Sequence, residues 1–274
     1  MERPVSDNAT ANNSSDSNVL DELFSLKGKS ALVTGGTSGI GRMIAEGFVR
    51  AGARVYVASR KADAVASTIA ELSEFGFCDG TPANLATEDG CRELADWIAE
   101  REPQLDILVN NAGATWGAPL ADHDDKAWDR VLDLNVKGVF HLVRFCRPLL
   151  DAASKPGDPS RVINIGSIDG IHVPIMETFA YAASKAAVHQ MTRHLAGHLG
   201  PNITVNAIAP GPFQSKMMAA TLNSFGDSIA AGTTLKRIGR DEDMAGTAIF
   251  LSSRAGSYIT GTILAVDGGM ATTK

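Results

Sequence analysis

Residues 32–49 read LVTGGTSGIGRMIAEGFV, and the fold turns on how they are read. An apolar, strand-like run stops at two glycines. The chain then continues as an amphipathic helix with Ile40, Ile44 and Phe48 on one side. The glycines fall as Gly35-x3-Gly39-x-Gly41, which is not the G-x-G-x-x-G spacing of the dinucleotide fingerprint. The physics is the same: glycine lets the main chain approach an anion closely, and the helix N-terminus behind it offers unpaired N–H groups. Gly35, Thr37, Ser38, Gly39, Ile40 and Gly41 are therefore candidates for holding the phosphates of a dinucleotide.

Outward from this stretch, apolar runs alternate with amphipathic ones. Strands are predicted at 30–34, 54–58, 77–83, 106–110, 161–166, 202–208 and 262–266, the third interrupted by Gly80 and Pro82. Helices are predicted near 39–51, 62–75, 87–100, 124–150, 179–199 and 241–252. Near-continuous apolar strands separated by helices imply a parallel sheet covered on both faces. The expected fold class is α/β, a single doubly wound domain over 27–274 with seven strands. Residues 211–240 lack clean periodicity and follow the sixth strand, so a substrate-binding loop or lid is expected there.

The chain has 274 residues, 44% of them hydrophobic and 20% charged, enough for one substantial core. A net charge of -6 argues against nucleic acid or acidic lipid as a partner. The apolar runs are far shorter than the roughly 20 residues of a membrane span. Cys78, Cys91 and Cys146 show neither metal spacing nor a pairing pattern, as expected of thiols in a reducing, cytoplasmic setting with no metal site. Residues 1–26 begin with a polar, Asn/Ser-biased stretch without the apolar core of an export signal, and are expected to form a disordered extension.

The second strand ends at Ser59, Arg60 and Lys61, where a carboxylate would favour a ribose 2′-hydroxyl and an arginine a 2′-phosphate. The cofactor reading is accordingly NADP(H) rather than NAD(H). At the other end of the site, YAASK places Tyr181 and Lys185 one helical turn apart, and Ser167 ends the fifth strand's INIGS. A tyrosine hydroxyl titrates near 10 in water. Bringing it to about 7 takes roughly 4 kcal/mol of preferential phenolate stabilisation, at about 1.36 kcal/mol per unit. A neighbouring ammonium and a positively charged nicotinamide ring could supply that in a shielded cleft.

T-G-x3-G-x-G (Thr34 to Gly41), NNAG (Asn110 to Gly113), Asn135 in LNVKG, Ser167, YAASK and Pro210-Gly211 occur in this order. On these motifs the chain resembles the short-chain dehydrogenase/reductases, Rossmann-fold enzymes, from Lys27 to Met270. The resemblance implies Tyr181 as general acid/base, Ser167 orienting the carbonyl, Lys185 on the ribose hydroxyls and Asn135 anchoring a proton-relay water. It also implies a cofactor site that includes Asn84 and Leu85 near the adenine, Asn111, Ala112 and Gly113, then Pro210, Gly211, Phe213 and Ser215 near the nicotinamide. Asn84 stands where many members carry aspartate, and Ser215 where threonine is more common. NNAGATWGAPL, SRVINIGSIDGI and SKAAVHQMTRHLA are similar to the rhamnolipid-pathway type of 3-oxoacyl reductase. This implies a 3-oxoacyl thioester, carrier-protein- or CoA-linked, as substrate. Ser167, Ile168, Trp116, Tyr181 and Met217 would line its site, and Arg144, Arg147, Arg193 and His194 are candidate carrier contacts. A ketone of secondary metabolism, a sugar or polyol, or a non-catalytic NADP-binding sensor are the alternatives. The family also implies a homotetramer or homodimer packed through the helices at 124–150 and 179–199.

Overall fold

Seven strands form one all-parallel sheet: β1 (Ser30–Thr34), β2 (Arg54–Ser59), β3 (Cys78–Pro82), β4 (Ile107–Asn110), β5 (Ser160–Ile165), β6 (Ile203–Pro210) and β7 (Ile263–Val266). The computed structural model describes residues 18–215 and 218–273. Strand order is β3-β2-β1-β4-β5-β6-β7, so the chain winds outward from β1 to one edge, then crosses back to build the other half. The reversal falls between β1 and β4, paired in register from Ala31–Ile107 to Val33–Val109. Their carboxyl ends open the crevice in which doubly wound sheets bind ligands.

The two-residue period of the strands divides the core. Ala31, Val33, Val55, Val57, Ile107, Val109 and Ile163 face one layer. It is covered by α2 (Gly39–Arg50), α3 (Ala62–Leu72) and α9 (Asp241–Ser252). Leu32, Tyr56, Ala58, Leu108 and Val162 face the other, under α4 (Glu88–Ala99), α6 (Val139–Ala153) and α7 (Phe179–Leu199). Burial of the central strands on both faces is why they read as unbroken apolar runs rather than as alternating ones. Among the described residues no helix is long and apolar enough to cross a membrane.

Three expectations need correction. The extension expected to be disordered through residue 26 contains α1 (Val19–Phe24), N-capped by Asn18, whose side chain accepts from Leu20 N, and Leu26 is fully buried in the core. Residues 1–17 of that extension lie outside the described residues. The segment 211–240 contains α8 (Ala219–Gly232). The long helix expected over 124–150 is α5 (Asp125–Leu132) and α6, joined by a π-helical turn at Asp133–Gly138. A π turn holds one residue more than an α turn and is common at functional sites; this one carries the buried Asn135.

Candidate active site

At the phosphate end, Gly35 (φ 63°) and Gly39 (φ 54°) adopt left-handed backbone that side chains disfavour. A Cβ on Gly41 would fall 2.3 Å from Asn111 Nδ2, and one on Gly39 2.9 Å from the Ser215 Cβ. The turn is thus pressed between the NNAG segment and the segment after β6, with no room for side chains. Ser38 occupies the N-cap of α2 but makes no side-chain cap bond, leaving first-turn N–H groups for an anion. Thr34 Oγ1 accepts from Asn111 N (2.9 Å) and Ala112 N (3.0 Å), and Asn111 Nδ2 donates to Thr34 O (2.8 Å), fastening β1 to β4 at the switch point. Arg60 and Lys61 are exposed beyond β2, and neither has an ion pair among the described residues. An open glycine cradle, an uncapped helix end and unpaired cations beside the second strand fit a dinucleotide carrying a 2′-phosphate.

The remaining candidates divide by what their side chains do. Asn84 is exposed, its Oδ1 accepting from Ala86 N. Leu85 and Phe213 are buried in the two core layers, and a Cβ on Gly239 would strike the Phe213 ring. Ile40 packs against the core from the glycine turn, Pro210 ends β6, and Gly211 N donates to Val266 O. Met217 lies outside the described residues.

At the reacting end the elements converge. A Cβ on Gly113 would lie 3.3 Å from Asn135 Oδ1 and 3.9 Å from Lys185 Nζ, so NNAG, the π turn and α7 meet at one point. Asn135 is held on three sides: Oδ1 accepts from Ala114 N (2.8 Å), and Nδ2 donates to Ala114 O and Ser184 Oγ (both 2.9 Å). Lys185, buried on α7, donates to Ile165 O at 2.7 Å, and its Nζ is 5.5 Å from the Tyr181 ring centroid. Ser167 Oγ accepts from Asp169 N at 3.1 Å. Ile168 is buried beside it, and Trp116 is half-buried, with Arg130 5.3 Å above its ring and no hydrogen-bond partner for its buried Nε1 among the described residues.

The electrostatics differ from the simplest expectation. Tyr181 is half-buried as a residue, and its hydroxyl lies deep. Burial raises it to about 12, with the Ser167 hydroxyl bond pulling the other way and the Asp169 carboxylate adding to the rise. Lys185 is pushed down to about 8 by burial, opposed by Asp169. The protein's own groups therefore drive the two titrations apart, the phenol up and the ammonium down, and the lysine does not by itself acidify the phenol. Sequence reasoning missed Asp169, whose carboxyl is itself raised by burial and bears on both partners. Its place two residues after Ser167 was the available signal.

The segment from Ser167 to α7 exposes a run of apolar side chains: Ile171, Val173 (90%), Ile175 (101%), Met176 and Phe179. The candidate carrier contacts are largely engaged elsewhere. Arg144 pairs with Glu88, Arg147 with Asp151, and Arg193 bonds Gln190. A separate cavity of about 260 Å³ lies behind Phe213, lined by the Arg237–Asp243 pair and Asp267, and no catalytic candidate borders it.

A family described as enoyl-(acyl carrier protein) reductase matches residues 35–271. The chain belongs to the short-chain dehydrogenase/reductase family. It is 46% identical over 249 residues to the rhamnolipids biosynthesis 3-oxoacyl-[acyl-carrier-protein] reductase of Pseudomonas aeruginosa, covering 90% of this chain and 97% of that one. It is 33% identical over 247 residues to the 3-oxoacyl-[acyl-carrier-protein] reductase FabG of Thermotoga maritima, covering 89% and 98%. The NADP active-site complex of Pseudomonas aeruginosa RhlG superimposes with a TM-score of 0.89 at 45% identity, over 91% of this chain and 99% of that one. As a family member the chain is an oxidoreductase, and its resemblance to 3-oxoacyl reductases extends over both ends of the site.

Proposed function

We propose that this short-chain dehydrogenase/reductase uses NADP(H) to reduce the 3-oxo group of an acyl thioester to a secondary alcohol. The observation that carries the substrate class is the apolar run Ile171–Phe179, which joins Ser167 to the Tyr181 helix and is exposed beside the reacting groups. Apolar surface left in water costs about 25 cal/mol per Å², so a hydrocarbon chain laid along this run gains affinity that a polyol would not. The 3-oxoacyl reductases among the relatives support the same class.

When bound, dihydronicotinamide supplies the hydride, and the chain's own groups position the substrate and move the proton. Ser167 donates to the carbonyl oxygen as charge develops on it. Tyr181 gives its proton to that oxygen. A phenol raised to about 12 is a poor base at neutral pH, yet it remains more acidic than the secondary alcohol being formed. Lys185, held near 8 by burial, exchanges protons close to neutrality and can restore the phenol. Asn135, fixed in the π turn, lies within reach of the same point and would anchor a relaying water. In this reading Arg60 and Lys61 take the 2′-phosphate. The enzyme assembles as a dimer or tetramer through α5, α6 and α7.

The test is a kinetic screen with NADPH against 3-oxoacyl thioesters of increasing chain length, cyclic ketones and sugar acids. The expected result is a kcat/KM that is highest for the thioesters and rises with chain length; preference for a sugar acid would overturn the substrate class. Tyr181→Phe should lower kcat by about 10²–10⁴ while still binding NADPH, and undiminished turnover would remove the mechanism.

A further inference from the structure

Tyr181, Lys185 and His189 occupy successive turns of one face of α7. The His189 ring is 4% exposed, and Nε2 has no hydrogen-bond partner among the described residues. Burial pushes the imidazole down to about 4, the Lys185 and Arg193 charges act in the same direction, and a bond to the Gly170 backbone opposes them. His189 is therefore a neutral ring at working pH, and its position is the informative part. A Cβ on Gly166 would lie 2.2 Å from His189 Nε2 and 2.7 Å from Cδ2, and a Cβ on Gly170 would lie 2.9 Å from Cε1. The imidazole is wedged between the two glycines that bracket Ser167, Ile168 and Asp169.

Both ends of that bracket are otherwise anchored. Gly166 N donates to Ile208 O of β6 at 2.7 Å. Gly170 packs onto the α7 backbone, where a Cβ would meet Lys185 C at 2.7 Å and Ala186 N at 2.8 Å. Lys185 Nζ holds Ile165 O just upstream. Helix α7 thus grips the 165–170 segment with two side chains, and the flat ring fixes the spacing between the segment's ends. We propose that His189 is a positioning residue that sets the Ser167 hydroxyl against Tyr181 by spacing the Gly166 and Gly170 backbones. Glycine is required at 166 because the ring fills the space a side chain would take. The proposal rests on the catalytic reading of Ser167 given above. Reactions of bound substrates lose up to about 10²-fold for a misplacement near 1 Å, which sets the scale of the effect.

The test is a double-mutant cycle in the full-length enzyme. His189→Ala and the longer, polar His189→Gln are each made alone and with Ser167→Ala. Thioester reduction is measured at saturating NADPH, and NADPH affinity is measured by fluorescence titration. His189→Ala should lower kcat by about 10–100-fold with NADPH affinity within about threefold, and His189→Gln should recover part of the loss. In the Ser167→Ala background the same change should cost less than about threefold, because the group it positions is gone. Equal losses in both backgrounds, or an unchanged kcat in the single variants, would overturn the proposal. A second pair tests the wedge by thermal unfolding alone. Gly166→Ala should lower the midpoint, and adding His189→Ala should restore part of it; no relief would equally overturn the proposal. Ser167→Ala with wild-type turnover would instead defeat the catalytic reading, and the Gly166 pair would still decide whether the ring spaces the turn.

Discussion

Replacing Arg60 by alanine isolates the group that reads the 2′-phosphate. Arg60 follows the last residue of β2, is exposed, and has no ion pair among the described residues, so its removal breaks no ion pair there. A charge-assisted hydrogen bond is worth about 1.5–3 kcal/mol, which corresponds to roughly 12- to 150-fold in a dissociation constant. Solvent screening at an exposed site and the remaining attraction of Lys61 place the expected loss at the low end, about 10- to 30-fold for NADPH. NADH has no phosphate there and should change by less than about twofold. Fluorescence titration of both cofactors, at low and at raised ionic strength, reads this directly, and the gap between them should narrow with salt. Equal losses for the two cofactors, or no loss for NADPH, would refute the assignment.

Asp169→Asn removes a negative charge that raises both Tyr181 and Lys185, so both titrations should fall. In the alcohol-oxidation direction the active form needs a deprotonated tyrosine and a protonated lysine; both limbs of the pH–kcat/KM profile should therefore move to lower pH, and movement to higher pH would contradict the electrostatics described. Leu26→Ala should destabilise the protein by about 2–4 kcal/mol in urea unfolding, as expected for a fully buried leucine, whereas a change below about 0.5 kcal/mol would detach this residue from the core.

The sheet was legible in the sequence because its central strands are buried on both faces and carry uninterrupted apolar runs. The strand at 77–83 tolerates Gly80 and Pro82 because Cys78–Pro82 lies at the sheet edge beside β2 alone. Tyr181 and Lys185 were legible because helical spacing is local. The α1 helix was not: it buries none of its own residues, and its short apolar stretch directly follows a polar, Asn/Ser-biased one that reads as an unstructured tail. Helix α8 is obscured because Leu222, Phe225 and Ile229, though at helical spacing, are diluted by the small residues around them. The role of Gly166 and Gly170 could not be seen from composition, because what demands glycine there is an imidazole 19 to 23 residues further along the chain. Asn135 was found by its motif, but the π turn that presents it is a matter of hydrogen-bond register that its side-chain pattern does not encode.

That turn constrains which length changes the chain can tolerate. Each helical residue advances the winding by about 100°, so the surplus residue at Asp133–Gly138 leaves α5 and α6 out of phase with each other. Deleting one residue there would let the two segments merge into a single regular helix. It would also swing one of them by roughly a quarter-turn or more, carrying either Ala127 and Val131 or Leu142 and Cys146 off the layer each now fills. Natural variation in chain length should accordingly avoid this turn and collect in the surface connections, where a residue more or less rotates nothing.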